Sequence, residues 1–215
     1  MRRLVFIAII IASYGCSAQE KKMDRELKNL DNAINDSVLV FQQDKDSSHI
    51  INALPLCDEA IERAADNEGK YLCSQKKVML LGLLGQPLKA FSQQEKSVQF
   101  LDSNDVRSLE FYALSSLVQG NMPVAHYYYN KVIRECDAFP DNWNFVCKKS
   151  SCYLSMGKDK EARETIRKYQ EKHHDSAAEL TLKDFNNMAK QQKEAMDLLL
   201  QSLRNGKCNV SDKND

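Results

Sequence analysis

One spacing constrains this chain more than any other. Gly85-Gln-Pro-Leu-Lys-Ala90 recurs as Gly120-Asn-Met-Pro-Val-Ala125 and again as Gly157-Lys-Asp-Lys-Glu-Ala162, at intervals of 35 and 37 residues. A period of that size marks a repeated supersecondary unit, which hides its apolar face only by stacking on its neighbours. Each Gly stands after one apolar-periodic run and before the next. Glycine suits the left-handed residue that ends a helix. Pro87 and Pro123 fall in the first turn of the following helix, where a missing N–H leaves nothing unpaired. The small Ala five residues after each Gly lets two helices approach closely. The pattern predicts helix, glycine turn, helix, three times over.

The flanking residues carry the same period. Leu109, Tyr112, Ala113 and Ser116 share one helical face before Gly120, and Ala125, Tyr129 and Val132 share one after it. Around Gly157 the sets are Val146, Ser150 and Tyr153, then Ala162, Ile166 and Tyr169; around Gly85 they are Val78 and Leu81, then Ala90, Gln94 and Val98. Pro140 and Asp141 break the chain between two units, with Asp141 placed to cap the next helix. Only 7 Gly and 4 Pro interrupt the helix-forming residues, and no long alternating β-branched run occurs. The reading is all-α.

These units resemble the tetratricopeptide repeat family over Tyr71–His173. The family's small residue in its second helix falls on Ala90, Ala125 and Ala162, and its following aromatic on Tyr129 alone, with Gln94 and Ile166 at the other two places. The resemblance implies a short helix-turn-helix solenoid with units at 71–104, 106–139 and 143–174. A degenerate unit spans 23–67, where Leu27, Leu30, Ile34, Val38 and Phe41 keep helical steps and Ala53, Cys57 and Ala60 follow without a Gly. Pro55 there predicts a helix capped by Asn52, with the proline in its first turn. The family also implies a concave groove lined by the first helix of each pair, here Met79, Leu83, Glu110, Leu114, Val118 and Ser151. The Lys/Asn set with which some members clamp a terminal carboxylate is missing. An apolar or amphipathic peptide or helix is the expected guest.

Ser176-Ala-Ala-Glu179 has the form of a capping box, opening a helix over 176–205 that Gly206 would end, followed by a polar tail, 206–215. Ala178, Leu182, Phe185, Ala189, Gln192, Met196, Leu199 and Leu203 form a seam at steps of four and three. Two readings stay open: a capping helix over the last unit, or a surface for self-association.

The first residues carry a different signal. Arg2 and Arg3 precede an apolar run from Leu4 to Ala12, followed by small residues, as in a secretory signal spanning 1–15. Ser13-Tyr14-Gly15-Cys16 resembles a bacterial lipobox, matching at Gly15 and Cys16 and departing at Ser13 and Tyr14. The resemblance implies a lipid on Cys16, a tether over 16–22, and a place in the bacterial cell envelope, anchored at the outer membrane. Each buried acyl CH₂ contributes ~0.8 kcal/mol, so several chains hold a protein permanently. Cleavage near Ala18, discarding Cys16, is the alternative.

Charge and motif content narrow the function. Lys+Arg and Asp+Glu both number 30, and two of the bases lie in the leading segment. So balanced a chain lacks the basic concentration that nucleic acid requires. No GxSxG, phosphate-binding loop or HExxH is present, and no catalytic residue, cofactor or metal site is expected. Cys136 and Cys147 flank the Pro140 turn and are candidates for a disulfide; the other reading is that they pack as small apolar groups. The expectation is a non-catalytic, lipid-anchored scaffold that holds a peptide or helix of an envelope protein. The alternative is a glycan or peptidoglycan binder that presents Tyr127, Tyr128 and Trp143.

Overall fold

The computed structural model describes residues 25–211, with side chains through Asn205. Cys16, its signal and its tether lie outside the described residues. Every regular element among the described residues is an α-helix. The chain divides into two compact units between Ser103 and Asn104.

The first unit holds α1 (Arg25–Asp44), α2 (Ser48–Arg63), α3 (Asn67–Leu83) and α4 (Pro87–Val98), each packed on the next. Its core joins Ile34 of α1, Ile50, Ala53 and Cys57 of α2, and Leu80 and Leu83 of α3. Pro55 corrects the expected start of α2. It lies inside an unbroken helix that begins at Ser48. Proline cannot donate to the carbonyl four residues back, here Ile51, but Pro55 and Ile51 both lie on the exposed side, where water reaches that carbonyl.

The second unit holds α5 (Val106–Val118), α6 (Met122–Asp137), α7 (Trp143–Ser155), α8 (Asp159–His173), α9 (Ser176–Lys183) and α10 (Phe185–Ser211). Helices α5 to α9 pack in sequence order. Three expected features shift here. Asn142 caps α7 by accepting from the Asn144 N–H at 3.0 Å, while Asp141 instead receives Lys172 and His173. Asp175, one residue before the expected Ser176, caps α9 through the Ala178 N–H. The expected single last helix bends at Asp184, and its second part continues past Gly206 to Ser211.

The three glycine turns are one structure repeated. Gly85, Gly120 and Gly157 have φ of 67°, 78° and 73°. In each, the glycine N–H and the next N–H reach back to two carbonyls of the last helical turn. Gly85 donates to Gly82 and Gln86 to Leu81; Gly120 to Leu117 and Asn121 to Ser116; Gly157 to Leu154 and Lys158 to Tyr153, all at 2.8–3.0 Å. This Schellman arrangement satisfies carbonyls that a helix end leaves orphaned. The residue after each glycine already opens the next helix, so the two helices fold back as a hairpin. Ala90, Ala125 and Ala162 then lie buried against the first helix. In the last hairpin the contact is close enough for the Ser150 hydroxyl to donate to the Ala162 carbonyl at 3.1 Å. After α1, Lys45 takes the left-handed place that glycine holds elsewhere, at φ 62°.

A Cβ added at Gly120 would meet nothing within 4 Å, so only its φ resists substitution. Gly120→Ala should therefore lower stability by about 1–2 kcal/mol through the backbone alone. Lys45→Gly, which relieves the same strain, should raise it by up to ~1 kcal/mol. Midpoints of urea unfolding read both.

Candidate functional site

The expected groove residues divide between the units. Met79 and Leu83 belong to the first unit's core, packed with Ile34 and Ile50, so they are not an open surface. Glu110, Leu114 and Val118 lie at four-residue steps along α5, and Ser151 lies on α7. In the second unit the face formed by α5 and α7 is crossed by α10, which packs on both.

The crossing follows from named contacts. Near its start α10 meets α8: the Arg163 guanidinium lies 5.7 Å from the centre of the Phe185 ring. Seven residues on, the Gln192 side-chain amide donates to the Ser151 hydroxyl at 2.8 Å and to the Ser151 carbonyl at 3.2 Å. Lys193 pairs with Asp159 at the head of α8, 2.7 Å away. Met196 and Leu200 then rest on the cluster of Leu109, Ala113, Leu117, Tyr129 and Val132. Finally Arg204 donates to the Leu117 carbonyl at 2.7 Å and the Val118 carbonyl at 3.4 Å. Those carbonyls belong to the last turn of α5, where the helix dipole favours a cation. Arg204 thus caps the helix that Gly120 ends. Val118 is buried, and Leu114, one turn earlier, is half-buried.

Beside this crossing, Lys148 of α7 pairs with Glu110 of α5 at 2.5 Å, and their side chains are 16% and 23% exposed. Burial pushes the Glu110 carboxyl above its ordinary range, and Lys148 pulls it only partly back. The sequence marked Glu110 as a groove position but not its partner, which lies 38 residues away on the next hairpin. Gln192 was visible as the polar break in the seam, but Arg204 carried no signal, since it lies at the flank of the apolar stripe.

The cysteines correct the disulfide expectation. Cys136 and Cys147 are both free. Cys136 faces the α5–α7 side and shares a cluster with Cys152. Cys147, half-buried on α7, is not part of that cluster, and the Asp175 charge acts on it. Burial pushes Cys57 and Cys136 up to about 12 and Cys147 to about 11. Cys73 and Cys152 move upward for the same reason.

The aromatic candidates do not form one platform. Tyr128 lies between Tyr112 and Tyr127, each 5.4 Å away between ring centres. Lys131 sits over the exposed Tyr127 ring, while Trp143 packs on Tyr169 at 5.2 Å. A cleft of about 350 Å³ between α6, α7 and α8, unmarked in the sequence, is floored by Phe145, Tyr153 and Tyr169. Its lysines are matched within the chain, Lys149 by Asp137 and Lys172 by Asp141. Among the described residues, no group of three or more His, Cys, Asp or Glu is arranged to hold a metal ion, and no helix is long and apolar enough to cross a membrane.

Two measurements check these environments. Glu110 binds its proton more tightly folded than unfolded, so its contribution to stability falls as pH rises from the ordinary carboxylate range to its raised folded pKa. Lys148→Met removes the opposing charge and pushes that carboxyl higher still. Its cost should be about 2–4 kcal/mol at pH 7.5 and clearly less at pH 5, read from urea midpoints at both. The buried thiols hold far less thiolate at pH 8 than an ordinary cysteine. Iodoacetamide should label Cys57 and Cys136 roughly a thousandfold more slowly in the native chain than in urea, with Cys147 faster than either. Comparison of the chain with protein-family models, with curated proteins and with solved structures found no match.

Proposed function

We propose that this protein is a non-catalytic scaffold whose α5–α7 face holds a helix of a protein partner in the bacterial envelope, with the scaffold tied to the membrane by a lipid on Cys16. The observation that carries this reading is the seating of α10. An amphipathic helix lies across that face with apolar side chains against the cluster below it and polar groups on Ser151 and on the α5 carbonyls. A surface that accommodates one such helix has the shape and the donor–acceptor pattern to take another.

Its polar groups support holding rather than turnover. Glu110 is paired with Lys148, and Ser151 with Gln192, so each is bonded within the chain instead of being paired with a general base. The glycan reading has less support, because Tyr128 and Trp143 are packed on their neighbours and only Tyr127 stands largely exposed.

Photo-crosslinking in native envelopes tests the proposal. A benzoylphenylalanine at position 114 should give one discrete protein adduct in the membrane fraction, lost when Ser151→Glu is added. Adducts that are spread evenly, or unchanged by Ser151→Glu, sink the groove as the site. Cys16→Ser should move the protein to the soluble fraction; continued membrane retention sinks the anchor.

A further inference from the structure

We infer that α10 is a displaceable in-chain occupant of the α5–α7 face, and that the partner docks through an amphipathic helix presenting the same groups in the same order. The inference rests on the reading of that face as a helix-holding surface and adds its regulation and the chemistry of its guest.

The last segment divides its work at its start. Ala178 of α9, and Phe185 and Ala189 of α10, join Val146, Leu154, Ala162 and Ile166 in one cluster, with Leu182 beside it. That closes the apolar end of the final hairpin, the task a terminal capping element performs in a stacked array. From Gln192 onward the helix adds no apolar group to that cluster, and the Lys193–Asp159 ion pair still ties it to the head of α8. It travels back over α7 and α5 instead, and Ser151, Leu117 and Val118 receive its polar groups. Lifting residues 192–204 would therefore leave the end cap in place.

Several features suit that stretch to leaving. Its contacts with α7 and α5 include hydrogen bonds whose partners water replaces once the helix lifts: the Ser151 hydroxyl and carbonyl, and two carbonyls at the end of α5. Met196 and Leu200 are only partly buried there, while Ala195, Leu199 and Leu203 are buried and supply the apolar contact that a competing helix must replace. Helix α10 has no base in its last turn, so its C-terminal end does not answer the dipole. Asn186, Asn187, Asp197, Asn205 and Gly206 lower its intrinsic helicity. Free of the groove, such a helix is marginal in water, and its order depends on the surface beneath it.

The occupant then describes the guest. It carries an amide that meets Ser151, apolar groups at the places of Met196, Leu199 and Leu203, and a guanidinium twelve residues after the amide, where the last carbonyls of α5 accept it. A partner helix with those groups competes with α10 on equal chemical terms, apart from the advantage that tethering gives the in-chain copy.

A fluorescein-labelled peptide with the sequence of residues 185–205 provides the test, read by anisotropy against the full chain in detergent. The Gln192→Glu/Arg204→Glu chain sets carboxylates against the carbonyls of Ser151, Leu117 and Val118 and loosens α10 in place. It should bind the peptide at least tenfold more tightly than the unaltered chain, and Ser151→Glu added to it should abolish binding. Equal affinity for the two chains, or binding that survives Ser151→Glu, overturns the inference. So does loss of the double variant's helical circular dichroism beyond α10, since the helix would then be a fixed part of the fold. In the unaltered chain, amides of 192–204 should exchange with deuterium at least tenfold faster than those of α6 and α8, and equal protection overturns the inference. No envelope partner enters these measurements. A peptide that binds while position 114 yields no adduct keeps the displaceable helix and removes the partner; the converse does the opposite.

Discussion

Left-handed backbone at Gly85, Gly120 and Gly157 is the constraint from which the rest of the helical packing descends. A residue at that φ lets two N–H groups turn back onto the preceding helix, and the chain reverses with one residue to spare. So tight a reversal fixes which positions of the two helices meet. Ala90, Ala125 and Ala162 occupy those positions because a larger side chain would push the helices apart, and each is buried. In the second unit the two hairpins of matching geometry pack side by side, and their first helices, α5 and α7, together offer one face.

What covers that face adds polar contacts to the apolar burial that also holds each hairpin. The hairpins rest on clusters such as Leu109, Ala113, Ala125, Tyr129 and Val132, buried to a few per cent exposure. Such burial is worth roughly 1.5–3 kcal/mol for each large side chain. The crossing by α10 buries Ala195, Leu199 and Leu203 as well, and adds hydrogen bonds that contribute about 1 kcal/mol net from Gln192 and about 1.5–3 kcal/mol from the charged Arg204. A helix that displaces α10 must therefore replace both its apolar burial and its hydrogen bonds. The Glu110–Lys148 pair is a further polar contact, linking two hairpins under partial burial.

Faces and turns were readable before any coordinates because both are local. The steps of three and four that placed Ala125, Tyr129 and Val132 together needed only helical geometry, and all three are buried. The left-handed turn after α1 was not readable, since Lys45 offers none of the steric signal that glycine does. Caps slipped by one residue at Asn142 and Asp175, where adjacent residues all carry side chains able to accept the bond and only the final path of the chain selects one. Pro55 misled for a related reason: its exclusion from helices assumes that the freed carbonyl has no other partner, which fails on a solvated face.

From its amino acids alone this protein was bound to be helical, folded into hairpins at three glycines, with a seam of apolar residues along its last helix. Those properties depend on residues within a few turns of one another. Tertiary structure alone decided what that seam lies against. Gln192 meets Ser151 across 41 residues, and Arg204 meets Leu117 and Val118 across 87 and 86. An apolar stripe fits many partners equally well in sequence. Only the path set by the bend at Asp184 brings it across α7 and α5 rather than leaving it to a second chain.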